Sequence, residues 1–188
     1  MTSLPEEAKI HSSLGDDRLG PIREAIEATS GEIWECGCYT GGTALWMRHF
    51  AGPDRTIRAF DTFAGLPSHG PHDYHPIGAM KANVDEVSER LIRNGISVHV
   101  GVMPDSFAGL EESTISVAHI DVDQYDSVRQ CLEWVYPRVH SGGWVFVDDY
   151  ADAYCLGAKK ATDDFVAEKG LTLVVDGSRH PQAHFVKP

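Results

Sequence analysis

The chain has 188 residues, 42% of them hydrophobic and 23% charged, with a formal net charge of −12. That length fits one domain able to bury a core, and the acidic balance excludes nucleic acid and anionic membranes as partners, because both need clustered Lys and Arg. The start MTSLPEEAKI lacks the basic, apolar opening of a signal peptide, and no apolar run approaches the ~20 residues of a membrane span, so a cytoplasmic protein is expected.

Residues 1–32 read as an N-terminal extension, disordered or lightly packed at its start, with one helix over GPIREAIEAT and Pro21 in its first turn. The main domain is expected over 33–188. There two periodicities alternate. IWECGCY (33–39), IRAFDTF (57–63), ISVHVGV (96–102), SVAHIDVD (116–123) and GGWVFVDDY (142–150) are short runs rich in Val, Ile and aromatics, the pattern of buried strands. Helix-like segments separate and follow them: GGTALWMRHF, KANVDEVSERLIRNG, YDSVRQCLEWVYPRV and GAKKATDDFVAEKG. Within the second of these, Val84, Val87, Leu91 and Ile92 fall at helical spacing, and Gly95 sits where a C-terminal cap belongs. The tail adds candidate strands LTLVVD (171–176) and AHFVK (183–187), joined by GSRHPQ. That loop is too short for a crossover helix, so the last strand should run antiparallel to its partner. The expected class is therefore α/β: a Rossmann-like, doubly wound, seven-stranded, mostly parallel sheet with an antiparallel C-terminal strand.

Four cysteines, at 36, 38, 131 and 155, lack the spacing of a zinc site and read as reduced structural thiols. His119 lies inside a strand and reads as a packed core residue.

Ligands of open α/β sheets bind beyond the carboxyl ends of the strands. Acidic residues gather at those ends here: Glu35 in the first strand, Asp61 in the second, Asp121 and Asp123 in the fourth, Asp148 and Asp149 in the fifth. The first loop, ECGCYTGGTA, reads strand, glycine turn, helix start; Gly37, Gly41 and Gly42 let backbone approach a ligand, and Thr43 sits near a helix N-terminus. A dinucleotide fingerprint needs glycine where Tyr39 stands, which disfavours a pyrophosphate. Asp61 nevertheless follows at about the interval at which such folds offer a carboxylate to ribose hydroxyls. A ribose without pyrophosphate describes an adenosyl group such as that of S-adenosylmethionine.

Adjacent carboxylates at 148 and 149 are costly to desolvate. Neighbours in a strand point to opposite faces, so the pair converges on one ligand only if the chain turns there. If the fourth and fifth strands are neighbours, Asp121 meets both. Three such carboxylates suit a hard divalent cation, Mg²⁺, Mn²⁺ or Ca²⁺. Such a cation also lowers the pKa of a substrate hydroxyl, which methyl transfer to oxygen requires.

The set ECGCYTGGTA, FDTFAGLP, HIDVDQYDSVRQCLEWVYPRVHSGGWVFVDDY and GAKKATDDF, spanning about 33–169, resembles the macrocin O-methyltransferase (TylF-like) family of class I S-adenosylmethionine-dependent enzymes. The resemblance implies a methyltransferase domain over 33–188, metal-assisted methylation of a hydroxyl on a small sugar-like or natural-product acceptor, and usually a homo-oligomer. It assigns Glu35, Gly37, Tyr39, Gly41, Gly42 and Thr43 to the cofactor loop, Asp61 to the ribose, and Asp105 and Ser106 to the segment near the adenine. Asp121, Asp148 and Asp149 match the metal-binding carboxylates, with Mg²⁺ the expected ion, and Asp121 and Asp148 are the expected catalytic pair. The family's lid region is here PSHGPHDYHP, with His69, His72 and His75 at three-residue intervals, expected as a surface lid. Two other readings stand beside this one: a non-catalytic module that keeps the fold, and an NAD-dependent oxidoreductase, which Tyr39 disfavours.

Overall fold

A computed structural model describes residues 4–12, 14–176 and 180–188, so residues 177–179 of the expected terminal loop lie outside the described residues. The elements run α1 Leu4–His11, α2 Asp16–Ala28, β1 Glu32–Cys36, α3 Gly42–Ala51, β2 Ile57–Asp61, α4 Val84–Arg93, β3 Ser97–Val100, β4 Ile115–Ile120, α5 Tyr125–Val135, β5 Val139–Val147, α6 Leu156–Lys169, β6 Val174–Val175 and β7 Ala183–Val186. The seven strands form one sheet in the order β3-β2-β1-β4-β5-β7-β6. β1 to β5 pair in parallel, and β7 runs antiparallel to both β5 and β6. Both the α/β class and the antiparallel C-terminal strand agree with the sequence reading.

Side-chain alternation in the central strands splits the core in two. In β1, Trp34 and Cys36 face the layer of α5 and α6 with Leu132 and Phe165, and Ile33 faces the layer of α2, α3 and α4 with Ile22, Leu45 and Val87. Because both faces are covered, β4 is buried at every position. His119 there is fully buried, as a packed residue should be.

Local signals set the helix ends. The Asn83 side chain accepts the Asp85 and Glu86 N–H groups and opens α4. Gly95, with φ 72, follows its C-cap and donates its N–H to the Ile92 carbonyl. Val87 and Leu91 face inward, whereas Ile92 is 62% exposed.

The N-terminal region departs from expectation. It forms two helices, and Pro21 lies well inside α2 rather than in its first turn. The N–H that proline lacks would have reached the carbonyl of Asp17, an exposed residue whose backbone water can serve, so the helix tolerates it. α1 packs its end on α3: a Cβ at Gly42 would lie 2.1 Å from the Ser12 nitrogen. The strand expected over 171–176 shrinks to two exposed residues, because Leu171 and Leu173 pack instead against the core beside α6. No helix among the described residues is long and apolar enough to cross a membrane.

Candidate active site

Register alone brings the strand-end residues together. Cys36 is opposite Phe60 on β2 and Ile120 on β4, and Ile120 is opposite Val147 on β5. The ladder continues past the strands: Gly37 N–H donates to the Phe60 carbonyl, Asp121 N–H to Cys36, and Asp148 N–H to Ile120. Gly37, Asp61, Asp121 and Asp148 are thus the next row of the sheet, along one edge of a cleft of about 440 Å³.

At the β1–β2 side, Gly37 has φ +88, and a Cβ there would sit 1.8 Å from the Asp121 carbonyl oxygen. Only glycine allows this approach between the two loops. Tyr39 (φ 45) and Phe63 (φ 53) turn their backbones so that both N–H groups donate to Asp61, at 2.7 Å each. Burial raises the Asp61 carboxyl above its ordinary range, and these donors oppose the rise. Beneath, Glu35 is fully buried. Burial first, then the charge of Asp61, pushes it well above the carboxylate range, against the Ala44 N–H at the start of α3. Its Oε2 has no hydrogen-bond partner among the described residues.

At the β4–β5 side the chain does turn: Asp149 has φ 53, which swings its side chain back beside its neighbour. Oxygens of Asp121, Asp148 and Asp149 lie within 4.8 Å of one another. Asp123, also at positive φ (59), leaves the strand's alternation and joins a second set with Asp149 and Cys155. The Cys155 thiol bridges those two carboxylates at 3.7 and 3.6 Å. Burial and the charges of Asp148 and Asp149 raise Asp121 well above its ordinary range. Burial, then Asp148 and Asp123, pushes Asp149 up to about 7. Oxygen donors so close together, with Asp121 and Asp149 costly to ionise, fit a hard divalent cation.

One cation already reaches the cluster. Arg18, the third residue of α2, places Nη1 2.9 Å from both oxygens of Asp148, with the two side chains 9% and 4% exposed. The Arg18 carbonyl in turn accepts a long bond from Gln182 beside β7. A buried pair of this kind is strongly destabilised if one partner is removed. No motif marks Arg18 in the sequence; the clustered carboxylates demanded a positive charge without saying where it came from.

Of the residues expected from the sequence, Gly37, Tyr39, Asp61, Asp121, Asp148 and Asp149 line the cleft. Glu35, Gly41, Gly42, Thr43, Asp105 and Ser106 are not among the residues that line it. Gly41 and Gly42 abut Leu91 and the end of α1, and Ser106 lies next to Gly101 in the turn after β3. Leu66, Met80, Val102 and Met103 supply an apolar wall, and Arg18 and His180 also border the space. The histidine segment is tied down rather than loose: Asp73 accepts the Tyr125 N–H at the start of α5, and Ser68 bonds the Gln124 side chain. His69 Nδ1 meets the His75 carbonyl at 3.0 Å, and His72 packs by Tyr125. None of the three lines the cleft.

A family model described as macrocin O-methyltransferase (TylF) matches residues 4–177. The demethyldecarbamoylnovobiocin O-methyltransferase of Streptomyces niveus is 29% identical over 90% of this chain and 75% of its own. From Streptomyces olivaceus, an 8-demethyl-8-(2,3-dimethoxy-alpha-L-rhamnosyl)-tetracenomycin-C 4'-O-methyltransferase is 25% identical over 86% of this chain and 70% of its own. The solved structure of the O-methyltransferase NovP superposes with a TM-score of 0.79 at 26% identity, covering 94% of this chain and 82% of that one.

Proposed function

The chain belongs to the macrocin O-methyltransferase (TylF) family, and from that premise we propose that it methylates a hydroxyl of a small sugar-bearing or related natural product. The donor is S-adenosylmethionine, assisted by a divalent cation, Mg²⁺ first among candidates. The observation that carries the reading is the convergence in one cleft of Asp61, presented by backbone donors, with the Asp121, Asp148 and Asp149 cluster on the neighbouring strand ends. A similar protein named for a rhamnosyl tetracenomycin supports a sugar hydroxyl as acceptor.

In this reading residues 33–188 carry the chemistry and the preceding helices close the acidic side through Arg18. S-adenosylmethionine, when bound, supplies an electrophilic methyl group, and the cation, when bound, stabilises negative charge developing on the acceptor oxygen. Asp61 accepts the ribose hydroxyls, Gly37 lets the main chain approach the nucleoside, and Tyr39 flanks it. Glu35 and the Gly41, Gly42 and Thr43 turn hold that loop from behind, and Asp105 and Ser106 bound the adenine end beside Val102 and Met103. Asp121, Asp148 and Asp149 hold the cation, and Asp121 and Asp148 face the reacting hydroxyl.

The test is transfer of labelled methyl from S-adenosylmethionine to a panel of phenyl glycosides and catechols, with Mg²⁺ or with EDTA. Turnover that EDTA abolishes is expected. Equal turnover in EDTA would remove the metal from the proposal, and binding of NAD in place of S-adenosylhomocysteine would remove the donor.

A further inference from the structure

The cleft of about 440 Å³ is at the small end of ligand pockets, and in the reading above it takes the donor as well as the reacting hydroxyl. The rest of a glycoside acceptor therefore extends over the rim, and the rim beside the acidic cluster carries two tyrosines. Tyr74, in the β2–α4 segment, and Tyr154, between β5 and α6, are 65% and 55% exposed, yet their rings meet at 4.8 Å between centroids with 58° between planes. Three residues after Tyr74 and two after Tyr154, Ile77 and Leu156 are exposed as well. Met80 of the same β2–α4 segment lines the cleft itself. Large apolar side chains left open together beside a cleft mark a binding surface.

Each ring is held from its own side. The Asp152 N–H donates to the Asp149 carbonyl at 3.1 Å, and Oδ1 of Asp152 accepts the Tyr154 N–H at 2.8 Å. The next residue is Cys155, whose thiol reaches the Asp123 and Asp149 carboxylates. Tyr154 thus stands one residue from a side chain that touches the acidic site. Across from it, Asp73 accepts the Gly70 N–H at 2.7 Å and the Tyr125 N–H at 2.9 Å, and a Cβ at Gly157 would lie 2.3 Å from its Oδ1. Glycine at 157 lets Asp73, the neighbour of Tyr74, seat against the start of α6. With both backbones fixed, the corner between the rings exists before a ligand arrives, and little ordering cost is left for binding. The carboxylates of Asp149 and Asp152 disfavour an anionic ligand, whereas the two rings offer faces and edges to an uncharged aromatic one.

We propose that Tyr74 and Tyr154 form an acceptor platform that takes an uncharged aromatic ring carried on the acceptor's sugar, outside the cleft, and so selects aryl glycosides. The inference deepens the O-methyl-transfer reading above and rests on it. Both tyrosines place the acceptor and touch none of the reacting atoms, so their contribution belongs in acceptor binding.

The experiment is calorimetric titration, with S-adenosylhomocysteine and Mg²⁺ present, of phenyl and methyl glycosides of rhamnose and of glucose into wild type, Tyr74→Ala, Tyr154→Ala and Tyr74→Phe. Transfer of labelled methyl to the same glycosides is measured in parallel. Wild type should bind the phenyl glycoside of at least one sugar more tightly than its methyl counterpart. Each Ala variant should lose roughly 5- to 10-fold of that preference, appearing in KM rather than kcat, and Tyr74→Phe should keep most of it. S-adenosylhomocysteine affinity should be the same in all four proteins. No phenyl preference in wild type, a preference that survives both Ala substitutions, an equal loss for phenyl and methyl glycosides, or weakened S-adenosylhomocysteine binding in the variants would each overturn the platform. A phenyl preference that the Ala variants lose, in a wild type that transfers no methyl to any glycoside, would contradict the transfer reading and keep the platform as a binding site.

Discussion

Asp61 and Asp148 end parallel strands on the same rim of the sheet, yet they are held in different ways. Asp61 receives two backbone N–H groups, from Tyr39, 22 residues earlier, and from Phe63, two residues later. Asp148 receives a guanidinium from Arg18, 130 residues away on a helix outside the α/β alternation, and shares its surroundings with two further carboxylates. The Asp61 side is thus finished by its own loops. The acidic side is assembled from distant parts of the chain and gathers more carboxyl groups than Arg18 alone can pair.

Gly37 joins the two sides, so substituting it should break both at once. Gly37→Ala forces a Cβ against the Asp121 carbonyl at positive φ, and a loss of about 4 kcal/mol or more is expected, read as a collapse of the denaturation midpoint and of S-adenosylhomocysteine binding together. Next in size, Arg18→Met leaves Asp148 buried without its cation. Stability in EDTA should fall by about 3–5 kcal/mol, and Mg²⁺ should recover part of that loss. The same fall with no response to Mg²⁺ would mean that the acidic side does not recruit a metal.

On the other side, Asp61→Asn turns an amide donor toward a backbone donor. The expected result is S-adenosylhomocysteine affinity weakened roughly 10- to 100-fold, with Mg²⁺ affinity unchanged by calorimetry. The smallest effect serves as a control away from both halves. Partial burial works to raise the Glu32 carboxyl, but the donors of Arg58 and Trp34 outweigh it and hold it below its ordinary range. A depressed carboxyl stabilises the fold above its unfolded pKa and loses that contribution as pH falls through the depressed value. Glu32→Gln should therefore cost no more than about 1 kcal/mol near neutral pH after solvent screening, and less below pH ~4, by urea denaturation.

The contrast also explains what was legible in the chain. The meeting of the ECGCYTGG turn with Asp61 could be read because its determinants are local: the two stand a short interval apart, and parallel register does the rest. The convergence of Asp121, Asp148 and Asp149 was legible from strand ends and adjacency, although the turn at Asp149 had to be supposed. Arg18 and His180 could not be read, since each enters from a terminal element whose packing leaves no periodic signature. The overlong β6 has a related cause: Leu171 and Leu173 satisfy the apolar pattern of a strand while packing as loop residues against the core. α1 is too short for periodicity to distinguish it from a polar start, and its role as a support for α3 depends on a contact at Gly42 that no local pattern announces.

The most direct test of the division between the two sides is calorimetric titration of metal-free protein with S-adenosylhomocysteine, wild type against Asp149→Asn, before and after Mg²⁺. Asn tolerates the left-handed backbone at that position, so the substitution removes a charge with little strain. The account predicts equal S-adenosylhomocysteine affinity in both proteins without metal, and a Mg²⁺ binding heat in the wild type that the variant lacks. Nucleoside binding that fails without Mg²⁺, or that is lost with Asp149, would contradict it.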